Sequence, residues 1–324
     1  MDQAVAPTFQ ARWKPETTHL AYWVGPWRLA NPGLDLLVTR EWTPEPLHSI
    51  GLLEALVTQG PLGPDGCLLF AHRANGPLPR LSRVGGLLCY VPQQYERRVA
   101  DLTLGAEAYW AQFSSKTRFN LKRNIKLFAK ATQDPVDWRR YTTPQEVAEF
   151  HHLALPLSER TYQHKLFRGG LPDSAAFKQQ MLAAAERDDV RAYLLFKDAQ
   201  PVAYLYFEAE DGMLAYSYVG HEAELSSLSP GSVLMALAIE QIQNEGRYRW
   251  MDFGSGDGQH KAVFSTGVMP VAHVYLLKPT WRNRCIVFTH DLLSRTMDSL
   301  RAWLKKNDLH SRLKRWVRQR ASGA

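Results

Sequence analysis

Cysteine is scarce in this chain of 324 residues, which contains Cys67, Cys89 and Cys285 and no other thiol. The three lie far apart in the sequence and form no C-x-x-C pair, so neither a disulfide framework nor a zinc site is indicated. The histidines also show no spacing with carboxylates or cysteines that is typical of metal ligands. We therefore expect a protein without a bound metal in a reducing, cytoplasmic compartment.

Long hydrophobic runs are missing as well. No stretch approaches the roughly 18 continuous apolar residues that a membrane-spanning helix needs. The N-terminal segment MDQAVAPTFQARWKP contains no apolar run, so we predict that it is not a signal peptide. Even so, 45% of the residues are hydrophobic and 11% are aromatic, which is enough for a large folded core and excludes global disorder.

An excess of charge is missing from residues 1–300, which are formally neutral. Residues 301–320 contain eight Lys or Arg residues and one Asp, and this excess equals the net charge of +7 of the whole chain. The body of the protein is therefore not expected to bind polyanions in general, and the basic character belongs to a tail.

The tail carries two apolar stripes at helical spacing. They consist of Leu293, Met297, Leu300 and Leu304, followed by Leu309, Leu313, Trp316 and Val317. Such basic amphipathic helices either pack on the body or lie on an anionic membrane surface. We favour packing for residues 291–306 and a peripheral contact, with the inner membrane face or a synthase complex, for residues 309–320.

Composition divides the chain near residues 105 and 280. We predict an N-terminal α/β unit at 1–104, a second α/β domain at 105–278 and a basic helical tail at 279–324. The first unit combines short apolar strands with a short helix at 49–59. No catalytic constellation stands out in it.

The second domain gives a clear order of elements. Helices follow from apolar spacing and strands from short apolar runs joined by hairpin-like turns. The predicted elements are one helix from Gly105 to about Thr132, a helix capped by Thr143, a helix capped by Asp173, three antiparallel strands within 190–219, a helix from Ser229 to Glu245 with Gly246 as its stop, and a strand at Tyr248–Phe253.

The start of the helix at Ser229 is a candidate anion site. It lies just past the end of a strand, and a helix N-terminus offers unpaired N–H groups and a partial positive charge. Gly231 would allow a ligand to approach the backbone closely. The candidate cofactor-binding residues are Ser229, Pro230, Gly231, Ser232, Val233 and Leu234.

The element order resembles the GNAT acyltransferase fold, and three motifs sharpen the resemblance. The segments SSKTRFNLKRNIKLF, LSPGSVLMALAIEQIQNEG and WMDFGSGDGQHKAVF resemble patterns of the CelD-like and FemAB-like branch. The resemblance implies a mixed α/β GNAT fold, with a degenerate N-terminal GNAT-like unit in tandem. It also implies transfer of an acetyl or longer acyl group from acyl-CoA to an amine or sugar hydroxyl, and a link to cellulose or other exopolysaccharide production.

Two other functions stay open at this point. The Q/R-x-x-G-x-G/A phosphate loop of typical GNAT enzymes is absent, and Pro230-Gly231 stands in its place. Some FemAB-like members use an aminoacyl-tRNA donor, which the basic face of the predicted helix 105–132 and the tail would favour. Without that alternative we expect no nucleic-acid partner. The third possibility is an inactive GNAT-like module that docks on a membrane synthase through its tail.

Two carboxylates flank the loop after the last predicted strand. In a GNAT-like reaction the acceptor attacks the thioester directly, which requires a base for its proton and an acid for the departing thiolate. Asp252 and Asp257 are candidates, and Asp252 in the apolar run WMDF needs a partner such as Lys261, Arg160 or a backbone N–H. Asp252 would either position or deprotonate the acceptor or hold the turn structurally.

The remaining candidates each have a structural alternative. His260 could be the base or a solvated side chain, and Lys261 could neutralise an anion or lie on the surface. Tyr216 and Tyr218 alternate with Ser217, which predicts one common face and either a core role or contact with the reacting groups. Arg160 and Tyr162 are candidates for acceptor binding, with a surface salt bridge as the alternative.

Overall fold

The fold is described by a computed structural model. It covers residues 13–24, 27–40, 47, 53, 61–132, 135–161, 170–210, 212–254 and 258–306. The chain forms two compact units: a flanking unit of Met1–Gln94 with Pro270–Ala324, and a central unit of Tyr95–Met269. These units are not divided at the composition shifts near residues 105 and 280, and the three-domain division remains a prediction.

The elements follow one another in a mixed α/β order. The strands are β1 (Lys14–His19), β2 (Tyr22–Val24), β3 (Trp27–Ala30), β4 (Gly33–Thr39), β5 (Gly66–Arg73), β6 (Leu81–Val84), β7 (Leu87–Tyr90), β8 (Gln94–Asp101), β9 (Trp138–Tyr141), β10 (Val190–Lys197), β11 (Gln200–Glu210), β12 (Met213–His221), β13 (Trp250–Asp252) and β14 (Gly267–Leu277). The helices are α1 (Gly105–Ala111), α2 (Ser115–Ala131), α3 (Pro144–Arg160), α4 (Ala175–Glu186), α5 (Pro230–Glu245), α6 (Gln259–Phe264) and α7 (Trp281–Lys306), with a 3-10 segment at Ala223–Leu228.

The flanking unit is built on a mixed sheet. Its strands β1, β4, β5, β14 and β7 are neighbours in that order, and β6 pairs with β7. The β4–β5 pair is parallel, whereas β1–β4, β5–β14 and β14–β7 are antiparallel. One apolar cluster includes Ile286 and Val287 of α7, which attaches that helix to this unit. Most of the helix expected at 49–59, and the tail from 307 onward, lie outside the described residues.

The central unit holds a sheet with helices on both faces. Its strands run in the order β8, β13, β12, β11, β10 and β9, and β12–β13 is the parallel pair. One core packs α1, α2 and α5 against the sheet around Phe128, Phe207 and Ile239. A second core packs α3 and α4 around Phe150 and Met181. The sheet thus lies between two layers of helices, and its antiparallel strands are followed in the chain by a helix and a parallel strand. This arrangement confirms the predicted GNAT fold class.

The prediction of a single helix between Gly105 and Thr132 is wrong. The structure contains two helices, α1 and α2, separated at Gln112–Ser114. Ser114 starts α2, because its side chain accepts a hydrogen bond at 3.1 Å from the Thr117 N–H. The helical spacing of apolar residues continues across the break, so periodicity alone did not reveal that a new helix begins after Ser114.

Capping residues in the sequence predicted where the next two helices, α3 and α4, begin. Thr143 forms a complete capping box with Glu146 and precedes Pro144 at the first helical position, as predicted. The cap predicted at Asp173 is wrong by one residue. Ser174 is the N-cap of α4, and its hydroxyl oxygen accepts from the N–H of Phe177.

Candidate active site

A cavity opens in the central unit where two parallel strands separate. The strand β12 pairs with β13 over Met213–Ala215, whereas its antiparallel pairing with β11 continues to His221. The resulting cavity has a volume of about 370 Å³ and lies beside the start of α5. Its wall is formed by Thr161, Tyr204, Leu205, Tyr216, Val219, Gly220, His221, Ala223, Ser226, Ser229, Gly231, Ser232, Met235 and Phe264.

The start of α5 receives no side-chain cap from the described residues, and the same is true of the short helices α1 and α6. The starts of α2, α3 and α4 are instead capped by the hydroxyl groups of Ser114, Thr143 and Ser174. The N-cap residue of α5, Ser229, adopts the left-handed conformation with φ 51°, and Pro230 follows. An uncapped helix N-terminus at a cavity is suited to an anionic group.

The predicted cofactor-binding residues divide into two groups. Ser229, Gly231 and Ser232 line the cavity. The other three, Pro230, Val233 and Leu234, are buried in the core. The N–H groups of Ser232 and Val233 both donate to the Ser229 carbonyl at 3.0 Å, so they are already engaged. Among the cavity-lining members, Gly231 therefore offers the closest approach to the backbone, since it has no side chain.

His221 is a cavity residue that the sequence did not single out. It ends β12, and its Nδ1 lies 3.4 Å from the position that a Cβ on Gly231 would take. Desolvation lowers the pKa of His221, and the neighbouring Glu222 carboxylate opposes this shift. This shift favours the neutral imidazole, which is the form that can accept a proton. The 3-10 segment Ala223–Leu228 separates His221 from the helix start in the sequence, so no local signal marked this contact.

Arg160 lies next to the cavity. It ends α3, and its guanidinium donates to the Glu222 carboxylate with an Nη2–Oε2 distance of 3.2 Å. Thr161, the following residue, lines the cavity, as does His221 beside Glu222. The structure thus brings Arg160 close to the donor site, and its role in acceptor binding stays a prediction. Tyr162 lies outside the described residues.

Tyr216 and Tyr218 do not share a face, contrary to the expectation from their alternation with Ser217. Tyr218 pairs with Tyr206 and Tyr216 pairs with Phe207, which leaves Ser217 as an extra residue in a β-bulge. An extra residue reverses the direction of the side chains that follow it. Tyr216 accordingly lines the cavity, whereas Tyr218 packs on the α4 side.

The contacts of the two tyrosines define these faces. The Tyr216 ring packs edge-on against Phe253 with centroids 5.4 Å apart, and burial raises the pKa of its hydroxyl. The Tyr218 ring packs against Phe177 at 5.3 Å, and burial also raises the pKa of its phenol. Tyr218 is not among the described residues that line the cavity, and its role as an acid stays a prediction.

Asp252 is a buried carboxylate with two partners. Arg97 of β8 donates to Oδ2, and the Gly254 N–H donates to Oδ1 at 2.7 Å. Burial raises the pKa of Asp252, and the charges of Arg97 and Lys261 act in the opposite direction. Of the partners expected from the sequence, the backbone N–H and the nearby lysine are present. The principal one, Arg97, was missed, because it lies 155 positions away in the chain.

Lys261 lies on α6 near Asp252, and neither residue is among the described residues that line the cavity. Its Nζ is 3.9 Å from the position of a Cβ on Gly254, and burial lowers its pKa while Asp252 raises it. Phe264, on the same helix, lines the cavity, and its carbonyl accepts from the Tyr109 hydroxyl at 2.7 Å. Asp257 lies outside the described residues, as does the side chain of His260.

The central unit can now be compared with known proteins. Residues 115–262 match the family model described as an acetyltransferase (GNAT) domain. This match confirms the GNAT fold and the prediction that the protein is an acyltransferase. The matched region contains α2, Asp252 and Lys261. It also contains every residue of the cavity wall except Phe264. A search of curated proteins found no match.

Solved structures that match this chain have low sequence identity and TM-scores below 0.5. FemX is 10% identical, with 82% of this chain and 89% of that chain covered and a TM-score of 0.47. L-PGS from Bacillus licheniformis is 14% identical, with 75% and 76% covered and a TM-score of 0.43. A GCN5-related N-acetyltransferase from Kribbella flavida is 14% identical, with 59% and 60% covered and a TM-score of 0.31.

Two further searches concern metals and membranes. Across the described residues, no group of three or more His, Cys, Asp or Glu side chains is arranged to hold a metal ion. In the same part of the chain, no helix has both the length and the hydrophobicity of a membrane span.

Proposed function

We propose that this GNAT domain transfers an acyl group from acyl-CoA to an amine or a sugar hydroxyl. The observation that carries the proposal is the cavity between the end of β12, beyond its ladder with β13, and the uncapped start of α5. The side of β12 that faced β13 suits the amide groups of an extended pantetheine arm, and the helix start suits its pyrophosphate. Gly231 lies in the cavity wall, where the pantetheine arm and the pyrophosphate would both approach the backbone.

His221 serves as the base in this proposal. It takes the proton of the acceptor as the nitrogen or oxygen attacks the thioester carbonyl, a C–N or C–O bond forms, and the C–S bond breaks. The thiolate leaves and is protonated by an acid that we do not assign. A lowered pKa keeps His221 neutral and so competent as a base. Most of the rate would come from holding donor and acceptor together in the cavity.

The acceptor would enter near Arg160. This side chain is more than half exposed while it holds Glu222, so it can bind a second anionic or hydroxyl-rich partner without moving far. The assignment of a saccharide acceptor, and of a role in cellulose or exopolysaccharide production, rests on the motif resemblance to CelD-like proteins. Calorimetry that compares acetyl-CoA with longer acyl-CoAs would also identify the length of the acyl chain.

Calorimetry with acetyl-CoA and longer acyl-CoAs tests the donor site. We expect the wild type to bind at least one of them and Gly231→Asp to lose binding, because a carboxylate at this helix start repels phosphate and fills the wall. Gly267→Asp is the matched control, since a Cβ there meets nothing within 4 Å. Failure of the wild type to bind any acyl-CoA, or equal binding by Gly231→Asp, would contradict the proposal.

An aminoacyl-tRNA donor is the second candidate, and the basic face of α2 favours it. The helix carries Lys116, Arg118, Lys122, Arg123, Lys126 and Lys130 and contains no Asp or Glu. No ion pair to these side chains is found among the described residues. The helix also packs on α5 and on the 3-10 segment that lines the cavity. Phosphates that follow α2 would therefore reach the site.

Binding measured across salt concentrations separates the two donors. Several phosphate contacts give tRNA affinity a steep salt dependence, whereas acyl-CoA makes few such contacts. We expect a Lys122→Glu/Lys126→Glu variant to leave acyl-CoA binding unchanged if acyl-CoA is the donor. Salt-sensitive tRNA binding that this variant abolishes, together with absent acyl-CoA binding, would establish the second candidate instead.

A further inference from the structure

The outward side of α7 carries an apolar stripe. Trp281 is 80% exposed, Phe288 55%, Leu292 65% and Trp303 56%. At about 100° per residue these four positions fall within an arc of about 60°, spread over about 33 Å of helix. Large apolar side chains thus lie along the outer surface of the helix, three between Trp281 and Leu292 and one at Trp303.

The opposite side of α7 is the one that packs on the flanking unit. Ile286 and Val287 are buried in its core, and Asn283 and Asp291 are buried as well. A helix packed on one side normally presents polar residues on the other. The outward stripe is therefore not explained by the packing of the unit itself.

The β2–β3 hairpin lies beside α7, because the Tyr22 hydroxyl donates to the Ile286 carbonyl at 2.8 Å. Its side chains Trp23, Trp27 and Leu29 are also exposed. We call the stripe on α7 the apolar surface. Monomeric soluble proteins rarely expose such clusters unless the residues bind something.

Arginines flank the stripe on both sides. At about 100° per residue, Arg284 and Arg295 lie on one side of it and Arg282 on the other. Arg282 and Arg295 contact Asp65 and Asp291, but their side chains remain 48% and 58% exposed. The helix ends at Lys306, and the basic excess of the sequence is concentrated in residues 301–320.

We propose that the apolar surface binds an anionic lipid surface, with α7 lying in the plane of the interface. Exposed tryptophans at both ends of an amphipathic helix, bordered by basic side chains, are typical of interfacial helices. A second copy of this chain would bring equal positive charges together, which disfavours self-association through the same face. The acyltransferase would then work at a membrane surface.

Vesicle co-sedimentation of the full chain tests the proposal. We expect little binding to phosphatidylcholine vesicles and strong binding when about a third of the lipid is phosphatidylglycerol. Replacing Trp281, Phe288 and Leu292 together by Gln should lower partitioning about tenfold or more, since three interfacial anchors are removed. Arg284→Glu should lower it about fivefold on anionic vesicles.

The controls test another exposed surface of the protein and self-association as alternatives to lipid binding. Phe119→Gln changes an aromatic of α2 that is 66% exposed and should leave partitioning unchanged. Calorimetry with acyl-CoA and the circular dichroism spectrum report whether the triple variant is folded. Equal vesicle binding by the wild type and the folded triple variant would overturn the proposal. So would a wild-type dimer in light scattering that the triple variant makes monomeric, without vesicle binding by either.

Discussion

The imidazole of His221 packs over the backbone of Gly231, with Nδ1 3.4 Å from the position that a Cβ would take. The end of β12 and the start of α5 therefore meet at a wall where one residue provides a titratable group and the other leaves room for a ligand. A methyl group fits at this distance, but it would occupy part of that room. The pair links donor binding to proton transfer in the proposed reaction.

Gly231→Ala should separate stability from binding. Alanine in the first turn of α5 should raise the free energy of unfolding by about 0.5 to 1 kcal/mol, because glycine costs backbone entropy there. The added methyl should at the same time weaken acyl-CoA binding several-fold. Denaturant unfolding and calorimetry measure the two effects. A parallel fall of stability and affinity would mean that Gly231 has a structural role only.

The rate should depend on pH through His221. A base must be neutral, so kcat/KM should fall as the pH drops through the His221 pKa, which desolvation places below its usual value of about 6.5. His221→Gln should lower kcat about 100-fold or more and remove this acidic limb. The exposed His152 in the same unit provides the control His152→Gln. An acidic limb that survives in His221→Gln would assign the base elsewhere.

Asp252→Asn should act mainly on stability. It leaves Arg97 without its buried carboxylate, and breaking such a pair costs about 3 kcal/mol or more in the free energy of unfolding. Asp189→Asn is the control, because its pair with Arg187 is more exposed and is expected to contribute about 1 kcal/mol or less. Lost turnover in an Asp252→Asn protein of unchanged stability would instead support a role in the reaction.

The β10–β11 turn offers a stabilising change. Asp198 and Ala199 both have positive φ, at 51° and 60°, in a two-residue hairpin loop between paired Lys197 and Gln200. Ala199→Gly should raise the free energy of unfolding by about 0.5 to 1 kcal/mol, because alanine is strained there. Asp198→Gly should gain less, since aspartate tolerates this conformation better. Thermal unfolding checks both, and equal gains would contradict the strain argument.

Local signals predicted much of the central unit. Pro230 at the first position and Gly246 in the left-handed conformation bound α5 where the sequence placed it. Thr143 and Glu146 similarly set the start of α3. Each of these features depends on residues within a few positions of one another. Such features can be read before the fold is known.

Long-range relationships could not be predicted in this way. The partner of Asp252 is Arg97, which becomes a neighbour only after β8 and β13 pair antiparallel. His221 attracts attention only once β12 and α5 are known to meet. The opposite faces of Tyr216 and Tyr218 depend on the register of β12 against β11, which the strand does not encode by itself.

The bulge at Ser217 has a consequence for engineering and for comparing relatives. Deleting this one residue would restore strict alternation while Tyr216 stayed opposite Phe207 and Tyr218 stayed opposite Tyr206, so each ring would keep its face. A relative without the bulge would therefore carry the same two side chains on the same two faces with one residue fewer between them. An alignment that moves the gap by a single column would leave Tyr216 or Tyr218 without its structural counterpart, even between chains of identical mechanism.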